Sequence, residues 1–271
     1  MTSSPDPEGR SYEDVYRDID APLNRQLRVD AYGTDIGQHS WVTVEDLRAD
    51  LVRLRLSAAS RLLDLGCGPC GPLLFALGEV RCHGCGADVS RSALEAGRSR
   101  AAVAGLESRL TLYAADLNER LPFEHSSFDA AMSLDVILHL RDRLAAFREV
   151  ARVLKPGGRF LFTDAGIISG TISEEERLRR SSHGQIQLVP PGENELQLGR
   201  SGFRLLEHED RTTSVIRNAR GRMLARLSHR LEVEQSEGQA AFDREQSYLE
   251  TVIALAERGA LSRVMYLAER S

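Results

Sequence analysis

A short apolar segment that leads into a glycine-rich loop constrains the fold of this chain most. Leu62 to Gly71 has the sequence LLDLGCGPCG, in which Gly66, Gly68 and Gly71 have the spacing G-x-G-x-x-G. Glycines at these positions let the backbone turn sharply from a strand into a helix and approach a ligand closely, because they carry no Cβ atom. The pattern predicts a nucleoside-binding turn of an α/β protein, and by itself it suits several nucleoside ligands.

Two acidic residues narrow the choice of ligand. Asp88 follows Gly66 by 22 residues, at the end of the next predicted strand. A carboxylate there can accept hydrogen bonds from both hydroxyls of a ribose. Asp64 lies two residues before the first glycine, where it would repel the pyrophosphate of a dinucleotide and attract the ammonium group of a cationic ligand. Asp64 therefore favours an aminoacyl nucleoside over NAD.

Strand and helix patterns alternate along the middle of the chain. Strands are predicted at 61–65, 84–89, 110–114, 128–134 and 159–164, and two more follow at 203–209 and 261–268. Helices are predicted between them, at 72–80, 90–105 and 142–154. Strands that alternate with helices pair in parallel through right-handed crossovers. The expected fold is therefore α/β, a Rossmann-like, mostly parallel sheet of seven strands with helices on both faces.

Helical patterns outside this core predict caps. They are the N-terminal tail and lid helices, 1–56, and two insertions, at about 166–191 and 212–259, in a Rossmann-like domain of 57–271. The later insertion is predicted as two helices, 213–235 and 240–258. Each segment has an apolar face to bury. We expect the caps to close over the carboxyl edge of the sheet and to form a small, mostly enclosed pocket.

Composition and charge argue against several classes of partner. The net charge of −5 gives no broad basic field for nucleic acid or an anionic membrane. No apolar run reaches the ~18 residues that a membrane span needs, and the first ten residues lack the apolar stretch of a signal peptide. Four cysteines are too few for a disulfide scaffold, so we expect a reducing, cytoplasmic location. Homo-oligomerisation is left open.

The cysteines also suggest a zinc site. Cys67, Cys70, Cys82 and Cys85 have the spacing C-x2-C-x11-C-x2-C. The first pair follows the end of the first strand, whereas the second pair lies at the start of the parallel second strand. A strand of five or six residues spans about 17–20 Å, so the two pairs are too far apart for one tetrahedral ion. We expect no metal.

Taken together, the motifs resemble those of the class I S-adenosylmethionine-dependent methyltransferases. The matching segments are DLGCG, ADVS, AADLNERLPFEHSSFDAAMSLDVILHL and REVARVLKPGGRFLFTD, which begin at residues 64, 87, 114 and 148. They occur in the order and spacing of the family. FDAAMSLDVILHL and VLKPGGRF are most similar to the branch that methylates small metabolites, including the sarcosine- and quinone-type enzymes.

The resemblance implies S-adenosylmethionine as cofactor, and methyl transfer by in-line displacement to a nitrogen, oxygen or carbon of a small molecule. It also implies roles for the matching residues. Asp64, Gly66, Cys67 and Gly68 would border the methionine part; Asp88 would hold the ribose, with Val89 and Ser90 beside the adenine; Asp116 and Leu117 would reach the adenine; Ser133 and Asp135 would flank the methionine and the methyl group.

Candidates for catalysis lie near the same edge of the sheet. His139 follows the fourth strand, where it can orient the methionine end, line the substrate site or act as a base, or instead have a structural role. Asp164 ends the fifth strand and can accept a substrate proton or form a buried ion pair. His183 lies on the irregular segment that follows, where it can contact substrate or face solvent.

An N-terminal cluster of aromatic residues is a candidate lid. Tyr16, Tyr32 and Trp41 lie close together in a chain with only 6% aromatic residues. They can line the substrate site and contact the sulfonium by cation–π interactions, or they can pack the N-terminal helices onto the domain. With His139 and His183 they form the predicted substrate-binding set.

Three other functions compete with methyl transfer. A non-catalytic S-adenosylmethionine-binding protein stays open, because methyl transfer depends on alignment rather than on a signature nucleophile. An NAD-dependent oxidoreductase is disfavoured by Asp64 and by the later motifs. A nucleic-acid methyltransferase is disfavoured by the charge and by the sequence SLDV at 133–136, where an NPPY-like segment would be expected.

Overall fold

Seven strands form one sheet in the computed structural model, which describes residues 12–181 and 186–271. The strands are β1 (Arg61–Leu65), β2 (His83–Asp88), β3 (Leu110–Ala114), β4 (Phe128–Leu134), β5 (Leu154–Ile168), β6 (Phe203–Asp210) and β7 (Leu261–Arg270). Their order is β3-β2-β1-β4-β5-β7-β6. β1 to β5 pair in parallel, and β7 runs antiparallel between β5 and β6. The predicted Rossmann-like, mostly parallel sheet is confirmed.

Helices cover both faces of the sheet and its carboxyl edge. They are α1 (Tyr12–Arg17), α2 (Pro22–Tyr32), α3 (Val44–Arg53), α4 (Gly71–Val80), α5 (Arg91–Ala104), α6 (Arg143–Val153), α7 (Glu174–Arg180), α8 (Glu193–Arg200), α9 (Thr212–Ser228), α10 (Arg230–Glu237) and α11 (Gln239–Glu257). In the described ranges, no helix is both long enough and apolar enough to cross a membrane.

The alternating side chains of the strands build a separate core on each face of the sheet. Leu62 packs in a cluster with side chains of α3, α4 and α5, whereas the adjacent Leu63 packs in a cluster with α6 and α8. This is the period of two that a strand buried on both faces requires. The chain steps from β3 at one edge back to β4 beside β1, so a crevice opens at the carboxyl ends of β1 and β4.

A third apolar cluster holds the cap together. It contains Trp41 from the N-terminal segment, Val215 and Ala219 of α9, and Leu249 and Val252 of α11. Within this cap, α9 packs against both α2 and α11, and α11 also packs against α7. The helix α2 and the insertion between β6 and β7 therefore form one body beside the sheet, whereas α1 packs against α5 and α3 against α4.

Two helices begin at cap signals that the sequence contains, the hydroxyl residues Ser90 and Thr43. The Ser90 hydroxyl accepts a hydrogen bond from Ala93 N at 3.1 Å and caps α5, which ends at Gly105 with φ of 67°. Thr43 caps α3 in the same way through Asp46 N at 3.0 Å. These signals are local in sequence, so they survive without knowledge of the tertiary fold.

Three predictions need correction. The helix signals of the N-terminal segment lie at 11–20 and 43–56, so the helix α2 is an additional one; Pro22 begins it, Gly33 ends it with φ of 76°, and packing against α9 stabilises it. The later insertion has three helices rather than two, because the chain breaks at His229 and again at Gly238. The sequence KPGG at 155–158 predicts a turn after the preceding helix, but β5 already begins at Leu154, five residues before its predicted start, and these residues form an irregular start of the strand.

Candidate cofactor and substrate site

The glycine loop lies at the carboxyl end of β1, against the end of β2. The backbone N–H groups of Gly66 and Cys67 both donate to the carbonyl of Ala87, at 2.8 and 3.2 Å. Gly66 and Gly68 have φ of 71° and 50°, in the left-handed region. A Cβ atom on Gly66 would lie 2.5 Å from a methyl carbon of Val136. Both the turn and the close approach of the loop after β4 therefore require glycine here.

Asp88 connects this loop to the start of α5. One carboxylate oxygen accepts from Gly68 N and the other from Ser90 N, each at 2.8 Å. Burial raises the pKa of the Asp88 carboxyl even though these hydrogen bonds favour its charged form. Each oxygen retains the capacity to accept a further hydrogen bond, and neighbouring Val89 exposes 71% of its apolar side chain. Asp88 and Val89 therefore place a hydrogen-bond acceptor beside an exposed apolar surface.

Asp64 is a buried acid without a hydrogen-bond donor among the described residues. Its side chain is 3% exposed, and it accepts no hydrogen bond from any residue that the structure describes. Burial, and then the charge of Asp88, raise the pKa of Asp64 to about 8. A buried carboxyl with this pKa is stabilised in its charged form by a cation brought next to it. The site fits the ammonium group of a ligand.

Asp116 shapes the loop after β3. Its Oδ1 accepts from both the backbone N–H and the side-chain amide of Asn118, at 2.9 and 2.8 Å. Burial alone would raise the pKa of Asp116, but the hydrogen bonds from Asn118 hold it below its ordinary value. Asn118 in turn accepts from Arg141 N at 2.7 Å, and Leu117 packs against the core on the α6 face. The two loops that flank the crevice are thereby joined.

The end of β4 carries a buried ion pair that the sequence did not reveal. Asp135, with φ of 61°, accepts from Arg263 Nε and Nη2 at 2.8 and 3.1 Å, from Thr163 Oγ1 at 2.9 Å and from Trp41 N at 2.9 Å. Burial alone would raise the pKa of Asp135, but Arg263 and these donors hold it below its ordinary value. The carboxylate ties together β4, β5, β7 and the N-terminal segment. Ser133, also expected at the ligand, is fully buried and donates to the carbonyl of Leu65 at 2.9 Å.

The N-terminal helix α1 is fastened over the glycine loop. The Glu13 carboxylate accepts from Arg91 N and Ser92 N, at 3.1 Å each, at the first turn of α5. Tyr16 makes an edge contact with the His39 ring, with centroids 5.6 Å apart, and its hydroxyl lies 3.5 Å from where a Cβ on Gly68 would stand. Tyr16 therefore lies directly on the candidate cofactor loop.

Arg100 of α5 links the same segment to the glycine loop at a second point. Its Nε and Nη2 bind the Asp20 carboxylate at 2.7 to 3.1 Å, and its Nη1 donates to the carbonyls of Gly37 and Pro69 at 3.1 and 3.3 Å. Asp20 follows α1, Gly37 precedes α3, and Pro69 belongs to the glycine loop itself. One guanidinium thus joins three segments that surround the crevice.

A cavity of about 170 Å³, partly open to solvent, lies between the N-terminal helices and α9 to α11; we call it the cap cavity. Its lining residues are Val15, Ile19, Asn24, Leu27, Arg28, Ala31, Tyr32, Gln38, His39, Arg222, Arg226, Glu237, Ala241, Arg244 and Glu245. His39 contacts Tyr16, and the Tyr32 hydroxyl donates to the carbonyl of Ser40 at 3.2 Å, next to Trp41, whose backbone N–H donates to Asp135. The cap cavity therefore adjoins the carboxyl edge of the sheet at two points.

The predicted substrate residues are placed differently from one another. Tyr32 lines the cap cavity, and Tyr16 lies between this cavity and Gly68. Trp41 is buried in the cap core, stacked on Tyr248 at 6.4 Å, and does not line the cavity. His139 ends a short 3₁₀ turn after β4, half-buried and outside the cavity lining. His183 lies outside the described residues.

Asp164, a predicted proton acceptor, is fully buried, and its carboxylate is occupied by hydrogen bonds within the protein. The carboxylate is fully buried and accepts from Arg143 Nη1, from Asn194 Nδ2 at 2.9 Å and from Gly166 N at 2.8 Å. This is the buried ion pair that was the alternative interpretation of Asp164. By contrast, His39 was not singled out from the sequence, although it is the histidine of the N-terminal aromatic cluster and lines the cap cavity.

All four cysteines are unpaired and buried. Cys67 Sγ and Cys70 Sγ lie 3.7 Å apart in the glycine loop, whereas Cys82 precedes β2 and Cys85 lies within it. Across 12–181 and 186–271, no group of three or more histidine, cysteine or acidic side chains is placed to hold a metal ion.

A family model described as a methyltransferase domain matches residues 63–162. Methyltransferase GfsG of Streptomyces halstedii is 38% identical over 122 residues, 45% of this chain and 43% of GfsG. O-methyltransferase rstn1 of Aspergillus nomiae is 31% identical over 162 residues, 58% of this chain and 70% of rstn1. The chain spans 43% to 60% of the length of the first three curated relatives that it matches.

Solved structures show that the same fold extends over almost the whole chain. The cyclopropane synthase MmaA2 of Mycobacterium tuberculosis has a TM-score of 0.81, covering 97% of this chain and 99% of that one at 16% identity. At this identity the match shows the fold alone. The family model covers Asp64, Asp88 and Asp135, whereas every lining residue of the cap cavity lies outside it.

Proposed function

The chain belongs to the class I S-adenosylmethionine-dependent methyltransferases, and on that basis we propose that it binds S-adenosylmethionine at the carboxyl edge of β1, β2 and β4 and methylates a small molecule. The observation that carries the proposal is a pair of acids, the buried Asp64 and the half-buried Asp88, on either side of a left-handed glycine loop. An NAD site would place a pyrophosphate against the same loop, where Asp64 would repel it.

The residues present fit the cofactor. Asp64 would receive the ammonium group, because its carboxyl is buried without a hydrogen-bond donor from the described chain. Asp88 would accept the ribose hydroxyls, with Val89 and Ser90 at the adenine and Asp116 and Leu117 beyond them. Gly66, Cys67 and Gly68 would border the methionine part. When bound, the cofactor would supply an electrophilic methyl group on a positively charged sulfur, which departs as the neutral thioether of S-adenosylhomocysteine when the methyl group is transferred.

The chain's own contribution is alignment and exclusion of water, which together can lower a displacement barrier by several kcal/mol. We propose that the acceptor binds in the cap cavity and that Tyr16 and His39 form the boundary between it and the cofactor, since Tyr16 lies on Gly68. An acceptor that must lose a proton can transfer it to the imidazole of His39. His139 is kept as the alternative base.

The remaining assignments are also proposals. We take 1–56, 166–191 and 212–259 as caps on a core domain of 57–271, and a small molecule rather than nucleic acid as the partner. A reducing, cytoplasmic location agrees with four cysteines that are all unpaired. Positioning of the methyl group by Asp135 would be indirect, through the segment that its carboxylate holds.

Calorimetry with S-adenosylmethionine tests the cofactor site. We expect Asp88→Ala to weaken binding at least about tenfold, the equivalent of one or two lost charge-assisted hydrogen bonds. Asp129→Ala is the matched control. Asp129 also accepts a hydrogen bond from a backbone N–H, that of Arg61 at 2.8 Å, but this bond lies at the amino-terminal end of β1. Equal affinity of the wild type and Asp88→Ala, or tighter binding of NAD than of S-adenosylmethionine, would refute the proposal.

Product formation separates an enzyme from a non-catalytic binding protein. The wild type is incubated with S-adenosylmethionine and a panel of amine, hydroxyl and carbon nucleophiles, and S-adenosylhomocysteine is measured. We expect turnover with at least one small acceptor. A protein that binds the cofactor but methylates nothing in such a panel would be the binding protein that the sequence left open.

A further inference from the structure

The cap cavity has an uneven balance of charge. Its wall contains four arginines, Arg28, Arg222, Arg226 and Arg244, against the two glutamates Glu237 and Glu245. A cavity of this kind, closed by helices on several sides, strengthens electrostatic interactions relative to water. Whichever of these six side chains lacks an ion-pair partner therefore indicates the charge of a complementary ligand.

Three of the four arginines are already paired. Arg222 binds Glu245 at 2.8 Å, and Arg226 binds Glu237. Arg28 binds Asp35, at 2.7 and 3.1 Å, and the carbonyl of Ile19 at 2.7 Å. Both glutamates of the cavity wall are thus paired with arginines of the same wall.

Arg244 is the exception. It is half-buried on α11, lines the cavity, and has no hydrogen-bond or ion-pair partner within 12–181 and 186–271. A guanidinium presents five donors in a planar fork that matches a carboxylate or a phosphate. Its charge in the cavity is left for the ligand to neutralise.

The rest of the cavity limits the body of the ligand. Val15, Ile19, Leu27, Ala31 and Ala241 provide apolar lining. A volume of about 170 Å³ compares with the roughly 150 Å³ apolar cavity that holds one benzene ring. The enclosed part of a ligand is therefore about one ring in size, with any remainder toward the open side.

We propose that the methyl acceptor is a small amphipathic anion: its carboxylate or phosphate binds the guanidinium of Arg244, and a compact apolar body of about one ring packs against Leu27 and Ile19. This inference rests on the proposed function only in taking the cap cavity as the acceptor site. A cationic acceptor is disfavoured, because no carboxylate of the wall is free to receive it.

Binding of four ring-sized probes tests the charge selectivity without requiring turnover. Benzoate, phenyl phosphate, benzyl alcohol and benzylammonium are titrated by calorimetry or ligand-observed NMR into the wild type saturated with S-adenosylhomocysteine. We expect at least one anion to bind about tenfold more tightly than both the alcohol and the ammonium. The ratio of benzoate to phenyl phosphate affinity identifies the preferred anion. Equal affinities, or preference for the ammonium, would overturn the inference.

Variants then locate the selectivity. Arg244→Gln should reduce the anion affinity about tenfold and leave benzyl alcohol unchanged, and Arg244→Lys should restore part of the loss. Arg217→Gln is the matched control, because Arg217 is exposed on α9, has no partner among the described residues and lies outside the cavity lining. An anion affinity that falls equally in Arg217→Gln and Arg244→Gln would assign the effect to net charge and refute the site.

The two proposals fail separately. If S-adenosylmethionine binds and Asp88→Ala weakens it, but the probes do not discriminate by charge, the anion inference is wrong and the methyltransferase proposal stands. Titrations of the anions without cofactor cover the opposite case. If the anions bind through Arg244 but neither S-adenosylmethionine nor S-adenosylhomocysteine binds, the anion site in the cavity is supported and the proposed function is wrong.

Discussion

At the scale of single residues, the two acids of the proposed cofactor site differ in how many hydrogen bonds they receive from the protein. Asp88 receives two backbone N–H groups, which keep its carboxylate in place before any ligand binds. Asp64 receives none from the described chain, and its pKa is raised to about 8, above the ordinary 3.8, first by burial and then by Asp88. At neutral pH without ligand, Asp64 is therefore mostly protonated.

This difference predicts proton release on cofactor binding. A ligand ammonium beside Asp64 lowers its pKa, so at pH 7 binding should release close to one proton to the buffer. Calorimetry in two buffers with different ionisation enthalpies measures this number. Asp64→Asn should abolish the release, while Asp129→Asn should not change it. Proton uptake by the wild type would contradict the predicted contact.

The same shift has a consequence for the stability of the unliganded fold. Because the folded pKa of Asp64 is raised, its contribution to stability is fully present below the unfolded pKa of about 4 and is lost as the pH rises through about 8. We expect Asp64→Asn to lose less stability between these pH values than the wild type in urea unfolding. Parallel pH profiles of the two proteins would contradict this assignment.

The Asp135–Arg263 pair predicts a large and specific loss of stability. Arg263→Met leaves a buried carboxylate without its cation and should destabilise the fold by about 3–5 kcal/mol. Adding Asp135→Asn should restore part of the loss. Arg204→Met is the control, because Arg204 is an exposed residue of β6 that pairs with Glu269 and should cost at most about 1 kcal/mol. Urea unfolding near pH 7 measures all four proteins; equal losses in both single variants would contradict the prediction.

Residues of the site were predictable from sequence to the extent that local patterns identify them. Asp64, Gly66 and Asp88 follow from one loop and one strand spacing. Arg263 could be suspected only as a lone arginine between the apolar residues Leu261 and Met265 of a strand, because its partner is 128 positions away. His39 had no pattern of its own, and its importance comes from contact with Tyr16 and from lining the cap cavity.

At the scale of elements, the attachment of α1 to α5 is a candidate lid. Arg100→Gln removes the bonds to Asp20, Gly37 and Pro69 together. We expect amide hydrogen exchange in 12–21 to become about fivefold faster, corresponding to roughly 1 kcal/mol, and S-adenosylmethionine to dissociate faster. Arg98→Gln is the control, since Arg98 is exposed two positions away on the same helix. Unchanged exchange in 12–21 would show that Glu13 alone holds the lid.

Elements were predicted well where the sequence itself ends them. α5 has a serine cap and a terminal glycine, and the strands of the sheet stop at glycine or at polar turns. α2 has no side-chain cap, and its stability comes from α9, some 190 residues later in the chain. The break between α9 and α10 falls at His229, which is neither proline nor glycine; His229 pairs with Asp30 of α2 at 3.0 Å, and α10 packs against α11.

At the scale of the whole molecule, the sheet and the cap have separate apolar cores, and the site lies where they meet. The cofactor half is built from residues 63–162, in a family pattern that is continuous in sequence. The proposed acceptor half joins Leu27 to Arg244, and no local pattern relates residues so far apart. This explains why the cofactor was predictable, whereas the expected enclosed pocket is a partly open cavity, and Tyr32 alone of the predicted residues that the structure describes is in its lining.

The separation of cap and sheet gives a final prediction, at Gly221 of α9. A Cβ atom there would lie 2.3 Å from the carbonyl oxygen of Ala31, so Gly221→Ala must push α2 away from α9, at a cost of about 1–3 kcal/mol. We expect faster hydrogen exchange in α2 and in 219–226, unchanged exchange in β1 and β4, and S-adenosylmethionine affinity within about threefold of the wild type. Gly199→Ala is the control, because Gly199 has open space around it in α8, and alanine there should be neutral or stabilising by about 0.4–1 kcal/mol. Faster exchange in β1 and β4 to the same degree as in α2 would mean that cap and sheet unfold as one unit, and the acceptor site could then not open independently of the cofactor site.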